Sequence, residues 1–290
     1  MRYTIRHTTR YSYDRPVYLQ PSVIRLRPQT NGWQTLEQSH LTINPSPAGQ
    51  SLITDIGGNT HLSVWFPAER ALDYLAIVCT STVNCHCDNP FNYVLDSRFN
   101  GQLPAYYPSQ IQEVLEPALM RDEPDPTITE LANQWAVEAN HDALGFINIV
   151  NQRLATDITQ MVRIDGLPQS PIQTWQSKQG ACRDLAVLMI DLCRTVGLAS
   201  RFVSGYVHGF LQNGRAELHA WMQVYLPGGG WRGYDPTMGL AVSNRHVVLA
   251  TSPNHALAAP FTGTFCGPDV APHLMYDIAI TPVDEAGANQ

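Results

Sequence analysis

Three residue types that can divide nucleophilic chemistry among them stand in a fixed order along the chain: Cys182, His219 and Asp235. A cysteine nucleophile needs a base to take its proton and return it to a leaving group, and the base needs a partner that orients it. Cys182 heads the stretch from Cys182 to Gly197, which follows Gly180, is rich in helix formers and closes on a glycine. That pattern predicts a helix of about four turns. On a helical wheel Cys182 falls in line with Ala186, Met189 and Cys193, whereas Arg183, Asp184, Asp191 and Arg194 share roughly a quarter turn. The helix should therefore be central and mostly buried, with a thiol at its N-terminus, where unpaired N–H groups and the positive dipole end favour thiolate over thiol. The competing reading is a buried structural thiol, because free cysteine is among the most buried residue types.

Ten histidines are available, so position must choose the base. His219 opens a strand-like run through Leu226, and Trp231–Asp235 forms a second across the Pro227-Gly228-Gly229-Gly230 turn signal. If Tyr225 pairs with Gly229, His219 lies opposite Asp235; if Leu226 pairs with Trp231, the two separate, because a one-residue slip exchanges the faces of a strand. His208, His246 and His255 have no comparably placed carboxylate on a hairpin partner. Taken singly, His219 reads as a polar residue at a strand end and Asp235, before Pro236, as a turn former. The fixed order of all three carries more weight than any one. The oxyanion of an acyl-transfer step would be met by the Cys182 backbone N–H and a second donor. Gln176 is a candidate, although it reads as part of a loop, where plain surface is the simpler assignment.

The elements that must position these residues change character along the chain. From Arg2 to about Cys87, runs such as Tyr3–Tyr13, Val23–Pro28, Leu41–Asn44, His61–Phe66 and Leu75–Val83 alternate with turn signals, among them Gly57-Gly58-Asn59, and predict an antiparallel sandwich. Nothing in this part looks catalytic. Cys85-His86-Cys87 resembles a metal motif only superficially: successive residues alternate across a strand and no second Cys/His pair with zinc spacing follows, so it reads as a strand end. A Pro- and Asn-rich connection leads to helical spacing, and the boundary is expected near residue 100. Helices are predicted over Ile111–Met120, bent at Pro117, from Asp125-Pro126-Thr127 through Ala143, and over Gly145–Met161. Beyond Gly197 come strands at 201–207, 219–226, 231–235, 247–250 and 276–280. The fold class is therefore α+β, with an N-terminal antiparallel β-sandwich-like domain (1–100) followed by a core (101–290) of helices packed on an antiparallel sheet.

Composition excludes several functions. The chain has 290 residues, 44% of them hydrophobic and 15% charged, and a formal net charge of -7. Modest acidity argues against nucleic acid or an anionic membrane as the main partner. No apolar run approaches a membrane span and Met1–His7 lacks the apolar core of a signal peptide, so a cytoplasmic location is expected. Six cysteines are too sparse for a disulfide scaffold, and a reducing compartment would leave them as thiols. No calcium-loop pattern of acidic residues is present, and neither a metal nor another cofactor is expected.

Gly180-Ala181-Cys182-Arg183-Asp184-Leu185-Ala186, Arg201–Tyr206, His219-Ala220-Trp221 and Gly233-Tyr234-Asp235-Pro236-Thr237 closely resemble the core of the bacterial transglutaminase-like superfamily. Arg2–Pro16, Gly58-Asn59 and Asn89-Pro90-Phe91 resemble the β-rich domain that precedes this core in one bacterial branch. The resemblance implies a papain-like core in which Cys182 is the nucleophile, His219 the general base and acid and Asp235 its orienter, with Asp184 and Tyr206 shaping the site. The chemistry expected is acyl transfer from an amide or peptide bond of a protein or peptide substrate, ending in hydrolysis or amine transfer. Trp221, Tyr206 and Trp231 are candidates to line an apolar groove, with core packing as the competing reading. The rival function is a non-catalytic peptide-binding scaffold that keeps the papain-like groove. A thiol redox protein is weaker, for want of a Cys-x-x-Cys pair.

Overall fold

The fold is that of a computed structural model, in which residues 1–209, 218–267 and 270–283 are described. Strand β1 (Arg2–Leu19) shows why the first part is a sheet: Tyr3, Ile5, His7 and Thr9 are buried while Arg6 and Arg10 are exposed, the alternation of a strand with one face on a core. It is followed by β2 (Ser22–Ile24), β3 (Gln34–Asn44), β4 (Gly49–Thr54), β5 (Thr60–Trp65) and β6 (Leu72–Cys85). β1, β6 and β3 pair in that order in one antiparallel sheet, and β2, β5 and β4 in a second.

The chain then turns helical, with α1 (Ser109–Leu119), α2 (Pro126–Glu138), α3 (Ala143–Asp157), a short β7 (Thr159–Gln160), α4 (Pro171–Ser177), β8 (Gln179–Gly180) and α5 (Cys182–Thr195). The helix expected to continue through Ala143 stops five residues earlier. Asn140 and His141 take positive φ (53° and 58°), and the Asp142 carboxylate accepts the Gly145 N–H at 2.6 Å to cap a new helix. Along α3, Ile147, Val150 and Leu154 are fully buried, which stabilises by roughly 1.5–3 kcal/mol apiece. The wheel prediction for α5 holds: ten of its residues are buried, and it packs on α2, α3 and α4. Its C-terminus is held by Arg194, whose guanidinium donates to the carbonyls of Ala118, Met120, Ser200 and Pro253. Gly197, at φ 78°, ends it where a Cβ would strike the backbone of Ala105.

β9 (Ser200–Val207), β10 (Leu218–Leu226), β11 (Gly230–Asp235), β12 (Leu240–Ala241) and β13 (His246–Ser252) form one antiparallel sheet in the order β12-β11-β10-β9-β13. Laid flat, its two edges would lie about 19 Å apart at ordinary strand spacing. The chain passes from one edge to the other between Ala241 and His246, which five Cα steps span by at most about 18 Å. The sheet therefore curls. After β14 (Phe261–Thr262) and β15 (Phe265–Cys266), the last strand β16 (Pro272–Pro282) pairs with β1 over its length. The residue-100 boundary grouped this segment with the core; in the fold it is a strand of the N-terminal sheet.

One apolar cluster joins the two halves, since Tyr206, Val247 and Leu249 pack with Tyr3, Ile5, Ile77 and Val83. Two buried amides add direction. Gln34 brackets Val248, donating to its carbonyl at 2.9 Å and accepting its N–H at 2.7 Å. Asn59 does the same to Thr251, at 2.9 and 2.8 Å. The exposed edge of β13 is thereby closed by side chains of the N-terminal half. No helix among the described residues is long and apolar enough to cross a membrane.

Candidate active site

Cys182 is the first residue of α5 and is half-buried. Its neighbour Ala181 offers no oxygen to cap the helix, and Asp184 supplies one. Oδ2 of Asp184 accepts the Ala181 N–H at 2.7 Å, while Oδ1 accepts the Gln169 N–H and an Arg163 N–H, each at 2.8 Å. The fully buried Asp184 thus caps the helix and clamps the 161–169 loop beside the thiol. Arg183 donates to the carbonyls of Arg163 and Asp165 in the same loop. Asp184→Ala is expected to strand three donors around a buried site and destabilise the fold by about 3 kcal/mol, measurable by urea denaturation; an unchanged midpoint would refute the clamp.

β10 pairs with β11 in a register that neither sequence alternative contained. Leu226 pairs with Gly230 and Met222 with Tyr234, with Pro227-Gly228-Gly229 as the loop. Continuing that register places Trp221 opposite Asp235 and His219 diagonal to it on the same face, a separation long side chains bridge. His219 Nε2 lies 2.6 Å from Asp235 Oδ2. The Cys182 side chain hydrogen-bonds the same imidazole, whose remaining nitrogen is Nδ1. The three residues singled out in the sequence are therefore brought together, with Asp235 fully buried and His219 nearly so.

Burial works against both charges, and the pair overcomes it. For His219, desolvation is outweighed by the Asp235 carboxylate and by Cys182, so its pKa stands well above the usual histidine range. For Asp235, desolvation is outweighed by His219 and His246, which hold its carboxyl well below the usual carboxylate range. His246 was the unforeseen neighbour: its Nε2 lies 3.2 Å from the same Oδ2. It had been set aside for want of a carboxylate on a hairpin partner, yet the contact comes from the curl of the sheet. Burial pushes the thiols of Cys79 and Cys87 up, that of Cys85 up to about 11 and that of Cys193 up to about 12.

Cys182 and His219 open into a cleft of about 470 Å³. One wall is the 161–168 loop, where Val162, Ile164 and Leu167 are exposed. Another part of the lining comes from the N-terminal sheet through Tyr11, Ile77, Leu274 and Tyr276, although no part of that domain had looked connected with the chemistry. The three aromatic residues named as groove candidates are absent from the cleft lining, and for them the competing reading, packing, holds. Tyr206 is buried in the inter-domain cluster and its hydroxyl pairs with His7 Nδ1 at 2.8 Å. Trp221 packs beneath His219 with ring centroids 6.0 Å apart, over Gly205, where any Cβ would collide with it. Trp231 packs on Tyr225 and Arg201. Gln176 is exposed on α4, outside the cleft lining, so it is not positioned as the second oxyanion donor. Gln160 is in that lining instead, and its pairing with Gly180 sets it beside the start of α5. No spacing rule pointed to it, because it is brought to the start of α5 by the two-residue β7–β8 ladder. Cys85 and Cys87 are buried at a strand end, His86 contacts Thr35, and among the described residues no three His, Cys, Asp or Glu side chains converge as metal ligands.

Residues 3–84 match the family model of the bacterial transglutaminase-like N-terminal region, and residues 131–236 match that of the transglutaminase-like superfamily. An uncharacterized protein of Mycobacterium tuberculosis is 26% identical over 275 residues, covering 90% of this chain and 87% of its own. One from Mycobacterium leprae is 23% identical over 280 residues, covering 92% and 94%. A Cytophaga hutchinsonii crystal structure, provisionally named a cysteine protease, superposes with a TM-score of 0.71 at 17% identity, covering 98% of this chain and 92% of that one. That likeness establishes the α+β, papain-like fold.

Proposed function

From a transglutaminase-like core carried behind a bacterial transglutaminase-like N-terminal region, we propose that the protein is a cysteine-dependent enzyme that hydrolyses an amide or peptide bond through a thioester on Cys182. The observation that carries this reading is the chain of contacts from Cys182 through His219 to Asp235 at the mouth of the cleft. Sγ attacks the carbonyl carbon, a C–S bond forms, and the oxyanion is met by the Cys182 N–H, left without an intrahelical acceptor, and by the Gln160 side chain. As the C–N bond breaks, the imidazolium gives its Nδ1 proton to the departing amine. Water then attacks the thioester while neutral His219 takes its proton, releasing the acid and restoring the ion pair.

What supports water over an amine as the acceptor is the openness of the cleft, where Leu167 of the lining is 78% exposed. The provisional name of the Cytophaga structure agrees with a peptide substrate. The test is digestion of an unfolded protein mixture in H₂¹⁸O with a free primary amine present, followed by mass spectrometry. New C-termini carrying ¹⁸O are expected, with kcat reduced about 100-fold in Gln160→Ala. Amine adducts without cleavage would replace hydrolysis by transfer, and an undiminished Gln160→Ala would remove that residue from the oxyanion site.

A further inference from the structure

Asp235 carries more partners than the orienter of one imidazole requires. Its Oδ1 accepts the Thr237 N–H at 3.0 Å, and its Oδ2 takes both His219 Nε2 at 2.6 Å and His246 Nε2 at 3.2 Å. A deprotonated carboxylate oxygen only accepts, so both imidazoles present Nε2–H to it. His246 is buried to 95%, and this tautomer leaves Nδ1 with a lone pair that accepts no hydrogen bond among the described residues. A buried polar atom without a partner costs about 1–3 kcal/mol, so the other nitrogen must hold the ring where packing alone would favour an apolar side chain. Trp221 fixes its orientation, meeting the His246 ring edge-on with centroids 5.1 Å apart.

We propose that His246 is a positioning residue for the hydrolysis, acting through Asp235 to hold the carboxylate in line with His219 and to temper its pull on the His219 proton. The inference rests on the cysteine-hydrolase reading above. Two donors on one oxygen divide its charge between them. The consequence matters because His219 must release a proton to the leaving amine, and a carboxylate shared with a second donor grips that proton less tightly. Without His246, Oδ2 of Asp235 would spend its undivided charge on His219, drawing the imidazole and its proton towards the carboxylate, and misplacement of that kind costs up to about 100-fold. Burial, offset in part by Asp235, lowers the pKa of His246, which keeps it a neutral donor at neutral pH. The groups that bear on it are Asp235 and His219, the adjacent Arg245, Cys85, whose thiol meets its carbonyl at 3.8 Å, and Cys87 and Arg232 across a small cavity.

His246→Leu removes the donor at similar bulk, and His246→Gln keeps an N–H at similar reach. In the whole protein, His246→Leu is expected to lower kcat about 10- to 100-fold with KM unchanged, and His246→Gln to recover most of it. The pH dependence of Cys182 alkylation by iodoacetamide gives a readout that needs no substrate: the inflection at which His219 loses its proton should move up in His246→Leu. If no peptide is turned over yet that inflection still moves, the hydrolase reading fails and the His246–Asp235 coupling stands. A folded His246→Leu with wild-type kcat and alkylation profile overturns the proposal, as does equal impairment of the Leu and Gln variants. Should His246→Leu not fold, ¹⁵N NMR of the wild-type imidazoles decides: His246 carrying its proton on Nε2 supports the proposal, and on Nδ1 refutes it.

Discussion

Cys182→Ala is expected to reduce peptide hydrolysis by about 10⁴-fold or more while leaving the fold unchanged. Cys182 is half-buried at the cleft, so losing one sulfur opens no cavity in the core. The other thiols are unsuited to substitute for it. Cys79, Cys85, Cys87 and Cys193 are buried, with pKa values raised by desolvation, and Cys266 is exposed but has no place in the cleft lining. Timed iodoacetamide labelling near neutral pH, resolved by peptide mass spectrometry, should show Cys182 reacting first and His219→Ala slowing it. The same variants separate an enzyme from a binding scaffold. A scaffold predicts an inert Cys182 in the wild type and binding unchanged in Cys182→Ala, and equal labelling of Cys182 and Cys193 would sink the catalytic reading.

Why the thiol, the base and the carboxylate were legible, and other parts were not, follows from the range of the interactions that place them. The α5 signal is local: glycines at both ends, helix formers between them and one apolar stripe specify the element and put Cys182 at its N-terminus. His219 and Asp235 belong to one hairpin, so their meeting is a question of register. Both registers considered placed them directly opposite or out of reach, whereas the observed pairing makes them diagonal neighbours on one face. His246, Gln160 and the β16 wall come from farther away. His246 depends on closure of a five-stranded sheet, Gln160 on a two-residue parallel ladder, and Leu274 and Tyr276 on a terminal strand returning to β1. None of these pairings leaves a periodicity in the sequence, although the strand at 276–280 does. The aromatic residues were left open between two readings for a different reason, since a tryptophan or tyrosine at a strand position reads alike whether it lines a cleft or supports the histidine above it.

The division of labour between the two halves follows from the same geometry. The N-terminal sheet is fixed to the core by Gln34, Asn59 and the Tyr206 cluster, of which Ile77 also reaches the cleft lining. Through this buried attachment Tyr11, Ile77, Leu274 and Tyr276 share one cleft lining with Cys182. In the proposed hydrolysis this lining gives the N-terminal domain a part in selecting the acyl chain that reaches Cys182.

Asp235→Asn is expected to lower kcat by about 10⁴-fold and to change how stability depends on pH. The amide cannot hold the His219 proton electrostatically, so the imidazolium that donates to the leaving amine is lost near neutrality. The sign of the stability effect follows from which state holds each proton more tightly. His219 has a pKa raised in the fold, so its contribution is complete below the unfolded value of about 6.5 and is lost as pH rises through the folded value. Asp235 has a pKa lowered in the fold, so its contribution is complete above the unfolded value of about 3.9 and is lost as pH falls through the folded one. The two describe one ion pair and count once, which gives a plateau between about pH 4 and 6.5. His7 tilts the acid side further: burial lowers its pKa to about 4, so protonating it below about pH 6.5 opposes folding. Urea denaturation across about pH 4–8, below the range in which the buried thiols of Cys79, Cys85, Cys87 and Cys193 add an alkaline loss of their own, should therefore show wild-type stability falling above neutrality, and Asp235→Asn should flatten that slope while leaving the His7 component in place. If the variant folds and keeps the wild-type alkaline slope, the buried His219–Asp235 pair is not ionised as described, and the proton inventory of the proposed mechanism fails with it.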